Sequence, residues 1–325
     1  MFQIINSLSK KTSITRDEFQ TLTKDLNLDD LINFKNSKNG DCLILKAARD
    51  GNLNLLKIVK ETNQNLNFSV TNHDGKNALH ESCQNSDYDC VRFLVDEYKW
   101  NAFMIAVREG NIEIIKYFLS LDKSLVVRTR SSNGRTPCHT TCLHGHLQIL
   151  KLILEKNEEN INQILTARDS CGNTPLMEAV IANHVNIVKY LLKYECIDIF
   201  DRDYLNNSCL HLSAQSGSLE VFDFVFDIFF KKDKNSDLIE NFSVLKNLYS
   251  MTPLQSAVKN GKSSIVNLII EKLCGERCFS KLLDLTFKNK MFALINQKDC
   301  HGRSAYDMAL SSKYEIILDF FKKFL

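Results

Sequence analysis

Apolar and polar positions along the chain follow a pattern that returns after a few dozen residues. The clearest unit, residues 133–154, reads NGRTPCHTTCLHGHLQILKLIL, and it aligns without gaps with CGNTPLMEAVIANHVNIVKYLL, which begins at Cys171. Its second half places Leu147, Leu150 and Ile153 at helical spacing, with Leu152 and Leu154 beside them. One helix pair cannot cover so broad an apolar face, so we predict that neighbouring units stack and bury it.

The same frame fits eight segments, which begin near residues 40, 74, 99, 133, 171, 205, 249 and 301. Each predicts a turn, a short first helix and a longer second helix. The position at which the first helix should begin is occupied by Cys42, Asn77, Asn101, Thr136, Thr174, Ser208, Thr252 and Ser304. We refer to it as the cap position.

Proline and glycine support this assignment. All three prolines directly follow a Thr at the cap position, where proline suits the first turn of a helix and Thr can accept an unpaired backbone N–H. Ten of the eleven glycines fall in two columns, one in the turn before the cap position and one at the end of the first helix. Asn183 replaces the second of these glycines in one unit, because Asn also tolerates a left-handed backbone.

The pattern resembles the ankyrin repeat family, whose unit is about 33 residues long and carries a TPLH motif followed by small residues and Gly-His. The resemblance covers residues 40 to about 322. It implies an all-α ankyrin-repeat solenoid of helix-turn-helix units with short β-turn or hairpin connections and about eight repeats. It also implies protein binding through the turns and first helices, without catalysis.

Within this family, residues 100–110, 134–154 and 168–180 are similar to a member associated with alanyl-tRNA synthetase. That resemblance implies a synthetase partner that helps prevent mischarging with serine. The alternative is a general adaptor, for example a substrate-recruiting subunit of a ubiquitin ligase.

Three segments depart from the pattern. Residues 1–39 match no repeat, but Thr15 and Glu18 have capping-box spacing, so we expect an N-terminal helical cap with a helix through about Leu26. The junction at 96–100 is too short for a normal turn, which favours missing sequence over a tight connection. The insertion at 231–243 starts as a polar, exposed loop, whereas the insertion at 271–296 is apolar enough for an additional helix.

Composition narrows the function classes. The formal charge is only +2, from 41 basic and 39 acidic residues, which gives no general attraction to nucleic acid or an anionic membrane. We expect no signal peptide and no membrane-spanning segment. The eleven cysteines are an odd number with uneven spacing. We therefore expect reduced thiols in a cytoplasmic or nuclear protein. We also expect a monomer.

Cysteine and histidine cluster in the clearest unit, and the repeat frame explains them without a metal. The set is Cys138, His139, Cys142, His144 and His146. His139 is the TPLH histidine, which in the family hydrogen-bonds the backbone of a neighbouring turn, and Cys142 falls in the small-residue column. The spacing lacks the paired ligands of zinc modules, and Cys274 and Cys278 have no nearby His. We expect no metal, no cofactor and no catalytic residues, since no catalytic motif is present.

Basic residues suggest where a partner would bind. Arg128, Arg130 and Arg135 lie within eight positions around one turn, where they are either solvated surface or a site for an acidic patch on a partner. Trp100 adjoins the irregular junction and serves either packing or binding. His73 and Arg202 complete the candidate partner-binding residues.

Overall fold

The computed structural model describes residues 2–11, 14–63, 70–95, 102–230, 238–274 and 284–324. Within these ranges all regular secondary structure is helical, which confirms the all-α class. The chain divides into two compact units, Met1–Thr129 (unit 1) and Arg130–Leu325 (unit 2).

Unit 1 pairs short helices in the predicted order. Its first helices α4, α6 and α8 pack side by side, and the second helices α5, α7 and α9 do the same. The helices described in unit 1 are α1 (Phe2–Lys10), α2 (Arg16–Thr23), α3 (Leu28–Asn33), α4 (Leu43–Arg49), α5 (Leu53–Thr62), α6 (Ala78–Gln84), α7 (Tyr88–Val95), α8 (Ala102–Glu109), α9 (Ile112–Leu121) and α10 (Leu125–Arg128).

Unit 2 repeats this arrangement over a longer stretch. Its helices are α11 (Pro137–His144), α12 (Leu147–Glu155), α13 (Ile161–Leu165), α14 (Pro175–Ile181), α15 (Val185–Leu191), α16 (Cys209–Ser216), α17 (Leu219–Phe230), α18 (Leu238–Ser243), α19 (Pro253–Lys259), α20 (Ser263–Cys274), α21 (Leu285–Asn296), α22 (Ala305–Ser311) and α23 (Glu315–Lys322), with a short 3₁₀ helix at Glu158–Asn160. The first helices α11, α14, α16, α19 and α22 each contact the next, as do the second helices α15, α17, α20 and α23.

The three helices that begin with Thr-Pro have the predicted caps. The Oγ1 atom of Thr136 accepts the His139 N–H, and Thr174 and Thr252 cap their helices in the same way. At the end of a first helix, Asn183 has a φ of 62°, which is the left-handed conformation predicted there.

Most, but not all, of the apolar residues that the sequence assigns to the stacked face of α12 are buried. Leu150, Ile153 and Leu154 on α12 are buried, as predicted, and Ile149 is buried with them. Leu147 and Leu152 remain half-buried. A buried leucine contributes about 1.5–3 kcal/mol, so the alternating rows of helices supply the main stabilisation of each repeat.

The N-terminal segment contains the expected capping box. The Glu18 N–H donates to Thr15 Oγ1 at 3.3 Å, and Glu18 Oε2 accepts the Thr15 N–H at 3.1 Å. The resulting helix α2 ends at Thr23. Helix α1, which the sequence pattern did not predict, packs on α4, and the Asn52 amide donates to the carbonyl oxygen of Lys11 at 2.7 Å just beyond its end.

The insertion at 231–243 is not entirely a loop. Residues 238–243 form α18, and its Ile239 and Phe242 are buried. These two apolar residues are three positions apart on one helix face, a signal too short to recognise beside the charged residues before it. Helix α21 lies within the other insertion and contacts α18 and α22. The irregular junction at 96–100, with Trp100, lies outside the described residues.

Candidate functional site

Five pairs of neighbouring turns in the described residues are each joined by a backbone hydrogen bond. In unit 2, the N–H groups of Ser170, Tyr204, Leu248 and Cys300 donate to the carbonyl oxygens of Asn133, Cys171, Leu205 and Tyr249 at 2.9–3.0 Å. In unit 1, the His73 N–H donates to Asn39 at 2.9 Å. We call this series the turn ladder. The two residues before the glycine position of each turn, for example residues 204–205 and 248–249, are its turn tips.

Arginine side chains bridge successive turns of unit 2. The Nη1 atom of Arg130 donates to the carbonyl oxygen of Gly134 in its own turn at 2.9 Å and to that of Arg168 in the next turn at 3.4 Å. Arg168 makes the same two bonds, to Gly172 and Arg202. Arg202 continues the series to Asn206 at 2.9 Å and to the next turn. The candidate residues Arg130 and Arg202 therefore hold turns together.

Arg135 lies on the same turn as Arg130 but makes a different contact. Its Nη2 atom donates to Glu178 Oε1 at 2.9 Å, and its Nε atom lies 3.7 Å from Asp169 Oδ2. The Glu178 carboxylate is fully buried, and burial raises its pKa above the ordinary value while the Arg135 guanidinium opposes that shift. Glu178 Oε2 accepts no hydrogen bond from the described residues. Arg135 is thus the cation of a buried ion pair.

The other described candidates, Arg128 and His73, lie in unit 1. Arg128 ends helix α10 in unit 1 and pairs with Asp122. The His73 ring is exposed and lies against Gly40 of the preceding turn, because a Cβ atom built on Gly40 would lie 2.7 Å from His73 Cδ2. The position of Trp100 falls outside the described residues. Partner binding by these residues stays a prediction.

The cysteine and histidine cluster has the structural role expected from the repeat frame. His139 Nδ1 accepts the Thr136 N–H at 3.2 Å, and His139 Nε2 lies 2.9 Å from the carbonyl oxygen of Asn173 in the next turn. Cys138 and Cys142 are buried, and burial raises the pKa of the Cys142 thiol. His144 is exposed and stacks on His146.

Metal binding and membrane insertion are two other properties that side-chain clusters and helix lengths can indicate. In the described ranges, no group of three or more His, Cys, Asp or Glu side chains is arranged to hold a metal ion. None of the helices described here has the length and apolar character needed to span a bilayer.

Apolar turn tips are the surface feature that the sequence pattern missed. Tyr204, Leu205, Leu248 and Tyr249 are 62%, 44%, 64% and 40% exposed. They lie on two adjacent turns, since the Leu248 N–H donates to the Leu205 carbonyl oxygen at 2.9 Å. Most other turn tips are polar, for example His73 with Asp74 and Ser132 with Asn133. The two turns are 44 residues apart in sequence, so only the stacking brings the four side chains together.

Comparison with known proteins identifies the class. The family model for ankyrin repeats (3 copies) matches residues 19–101, 94–164 and 158–237, which is more than half of the chain. The chain therefore belongs to the ankyrin repeat family. The match begins within the segment assigned to an N-terminal cap, and beyond its end the helix pairs α19–α20 and α22–α23 continue the same packing.

Two relatives share only a part of the chain. A glycerophosphocholine phosphodiesterase of Candida albicans is 28% identical over 104 residues, covering 29% of this chain and 9% of that protein. The acyl-CoA-binding domain-containing protein 2 of Arabidopsis thaliana is 36% identical over 64 residues, covering 20% of this chain and 18% of that protein. The chain thus spans less than a fifth of either relative.

Proposed function

We propose that this chain is a non-catalytic scaffold that binds a protein partner through the turns and first helices of its ankyrin repeats. The turn ladder is the observation that supports this proposal. Each of its bonds joins a backbone N–H to a backbone carbonyl oxygen, as in the pair Leu248 and Leu205. The side chains at the turn tips are therefore not required to join the turns, and they remain available to a partner.

Alanyl-tRNA synthetase is the specific partner that we propose to test first. The support is sequence resemblance to ankyrin repeat domain-containing protein 16, carried by residues 77–94, 100–110, 134–154 and 168–180. A partner of this kind would bind the synthetase in the cytoplasm or nucleus and help prevent mischarging with serine. We assign no acceptor lysine, since the basic candidates at residues 128–130 are arginines, which do not accept acyl groups.

A pull-down with the tagged full chain tests both levels of the proposal. The proteins recovered from the lysate with the tagged chain are probed for alanyl-tRNA synthetase by immunoblot and identified by mass spectrometry. We expect the synthetase to be recovered and the purified pair to bind at a 1:1 ratio. Recovery of other proteins alone, such as ubiquitin-ligase subunits, would favour the adaptor and reject the synthetase. Recovery of no protein above the tag-only control would contradict the scaffold itself.

A further inference from the structure

We infer that the turn tips of residues 204–205 and 248–249 dock a protein segment in which apolar side chains alternate with acidic ones. The inference rests on the proposed function and names the chemistry of the partner at that surface.

Four adjacent apolar side chains are exposed at these turn tips. Tyr204 and Leu248 are each more than 60% exposed, and Leu205 and Tyr249 are at least 40% exposed. The turn ladder fixes their spacing, because the backbone bond between Leu205 and Leu248 is 2.9 Å long. Isolated exposed apolar residues are common, whereas a contiguous group on adjacent turns is typical of a binding surface. Tyrosine is also enriched among the residues that dominate binding energy.

The charge around these tips indicates the sign of the partner. Arg202 and Lys246 occupy the same column of two successive turns, two residues before Tyr204 and Leu248. Lys259 Nζ lies 5.9 Å from the centroid of the Tyr249 ring. Among the described residues, no carboxylate lies within ion-pair distance of these three cations. Arg202 already donates to the carbonyl oxygens of Asn206 and Lys246, but its charge is not balanced by a carboxylate there. Lys246 and Lys259 are therefore the cations that a partner can neutralise most directly.

Basic residues in the same column of the two flanking turns do form ion pairs. On the preceding turn Arg168 pairs with Asp201 at 2.5 Å, and on the following turn Lys298 pairs with Asp307 at 2.6 Å. Asp203 directly precedes the tip residue Tyr204 in the sequence. Its carboxylate accepts the backbone N–H groups of Leu205 and Asn207 at 2.9 and 2.7 Å and is occupied within its own turn.

A protein segment fits this surface better than a nucleic acid does. Phosphate backbones are bound mainly by many cations, with aromatic rings stacking on bases. Here the cations are few, and two of the four exposed tip side chains are leucines, so most of the surface is suited to apolar side chains. An extended segment with Leu or Phe next to Asp or Glu would satisfy both features.

The test is a selection of phage-displayed random 12-residue peptides on the full chain, with counter-selection on the Tyr204→Ser/Leu248→Ser double variant. We expect enriched peptides that combine aliphatic or aromatic residues with Asp or Glu. Enrichment of basic peptides would overturn the inference. So would a selection in which every enriched peptide binds the double variant as well as it binds the wild type. Binding of a labelled 12-nucleotide single-stranded RNA that is lost in the same variant would assign the surface to nucleic acid instead.

Affinities of an enriched peptide then separate the two contributions. The tip double variant should bind at least ~10-fold more weakly, since truncation of central anchors commonly costs a factor of this size. The Lys246→Glu/Lys259→Glu variant should also weaken binding, and added salt should weaken the wild type more than this variant. Leu285→Ser is the matched control, because Leu285 is 71% exposed on α21 and should leave affinity unchanged. Equal affinity of all four proteins would contradict the proposal.

Failure of this inference is distinguishable from failure of the proposed function. If the tip variant and the wild type recover the same partner in the pull-down, the scaffold stands and the docking surface is wrong. If wild type recovers no partner, the proposed function fails first. Unchanged thermal unfolding of the variant shows that a loss of binding does not come from loss of the fold.

Discussion

His211 Nε2 lies 3.0 Å from the carbonyl oxygen of Met251 in the following turn. The other ring nitrogen, Nδ1, accepts the backbone N–H of Ser208 at 3.3 Å, so one neutral imidazole joins a helix cap to the next repeat. Because Nδ1 accepts the cap N–H, the proton is on Nε2 and is donated to the carbonyl oxygen. His139 makes the same pair of contacts two repeats earlier in the chain. These contacts require the neutral ring.

Replacement of His211 by Gln should remove part of the acid sensitivity of unit 2. Burial lowers the pKa of His211 from 6.5 to about 4, so between these values the unfolded chain takes up a proton that the folded chain does not. The stability contribution is therefore complete above pH 6.5 and lost as the pH falls toward 4, with a span on the order of 3 kcal/mol. Urea unfolding of His211→Gln at pH 7.5, 5.5 and 4.5 measures the difference.

The native chain supplies a reason to expect that Gln fits. Gln255 occupies the equivalent position in the next repeat, where Oε1 accepts the Thr252 N–H at 2.8 Å and Nε2 donates to the Gln297 carbonyl oxygen at 2.7 Å. We expect His211→Gln to change the free energy of unfolding at pH 7.5 by less than ~1 kcal/mol. Parallel pH dependence in variant and wild type would show that His211 does not titrate as inferred.

Loss of Arg135 should be more damaging than loss of its partner's charge. Arg135→Met leaves the buried Glu178 carboxylate without its cation, which should cost ~2–4 kcal/mol at pH 7, whereas Glu178→Gln should cost less than ~1 kcal/mol. Burial already raises the pKa of Glu178, and removing Arg135 raises it further. In the Arg135→Met variant, Glu178 therefore binds a proton more readily in the folded than in the unfolded chain. The loss of unfolding free energy relative to the wild type should be smaller at pH 5 than at pH 7.

A double-mutant cycle checks this interpretation. Arg135→Met combined with Glu178→Gln should recover much of the stability lost in the single Arg135 variant. Additive losses in chemical denaturation would mean that the two side chains do not interact as the 2.9 Å contact indicates.

Two glycines in the same column should respond differently to alanine. Gly172 has a φ of +83°, and an added Cβ would lie 2.7 Å from the backbone N of Tyr204, while Gly302 has a φ of +72° and open space around it. Gly302→Ala should therefore cost about 1 kcal/mol from backbone strain alone. Gly172→Ala should cost at least ~2 kcal/mol, because the backbone of the next turn must also move. Equal shifts in the melting temperature would reject the close approach of these turns.

Among the bridging arginines, Arg168 should contribute most to stability. It donates to the carbonyl oxygens of Gly172 and Arg202 at 2.7 and 2.8 Å and pairs with Asp201, whereas the corresponding bonds of Arg130 are 2.9 and 3.4 Å. Arg168→Met should cost ~1–3 kcal/mol and Arg130→Met less than ~1 kcal/mol. The comparison is made by urea unfolding, and a larger cost for Arg130→Met would contradict the assignment.

Features that depend on one repeat were accessible from the sequence. The Thr136 cap and the left-handed Asn183 follow from local chemistry combined with the repeat frame, and the structure confirms both. The family resemblance implies the contact of His139 with a neighbouring turn, and the structure confirms it as well. The additional helix α18 was missed, because Ile239 and Phe242 are its only buried residues in the described structure and give too short a pattern.

Features that depend on two repeats were not accessible in the same way. The charge of Arg130 and Arg202 predicts partner binding, which stays a prediction. The sequence gives no sign of their contacts with carbonyl oxygens in turns about 40 residues further along the chain. The apolar surface at Tyr204 and Leu248 likewise exists only after the turns are stacked. The charge of an arginine is visible in the sequence, whereas the carbonyl group that it contacts carries no residue-specific signal.

The turn ladder has a consequence for how this surface can change over time. Each hydrogen bond of the turn ladder uses backbone atoms that every residue other than proline possesses, such as the N–H of Leu248. Substitutions at the turn tips therefore leave these hydrogen bonds in place. Single substitutions at the turn tips can therefore change the selectivity for a partner with little loss of folding stability. The same property makes residues 204–205 and 248–249 suitable positions for randomised libraries that seek new binding specificities on this framework.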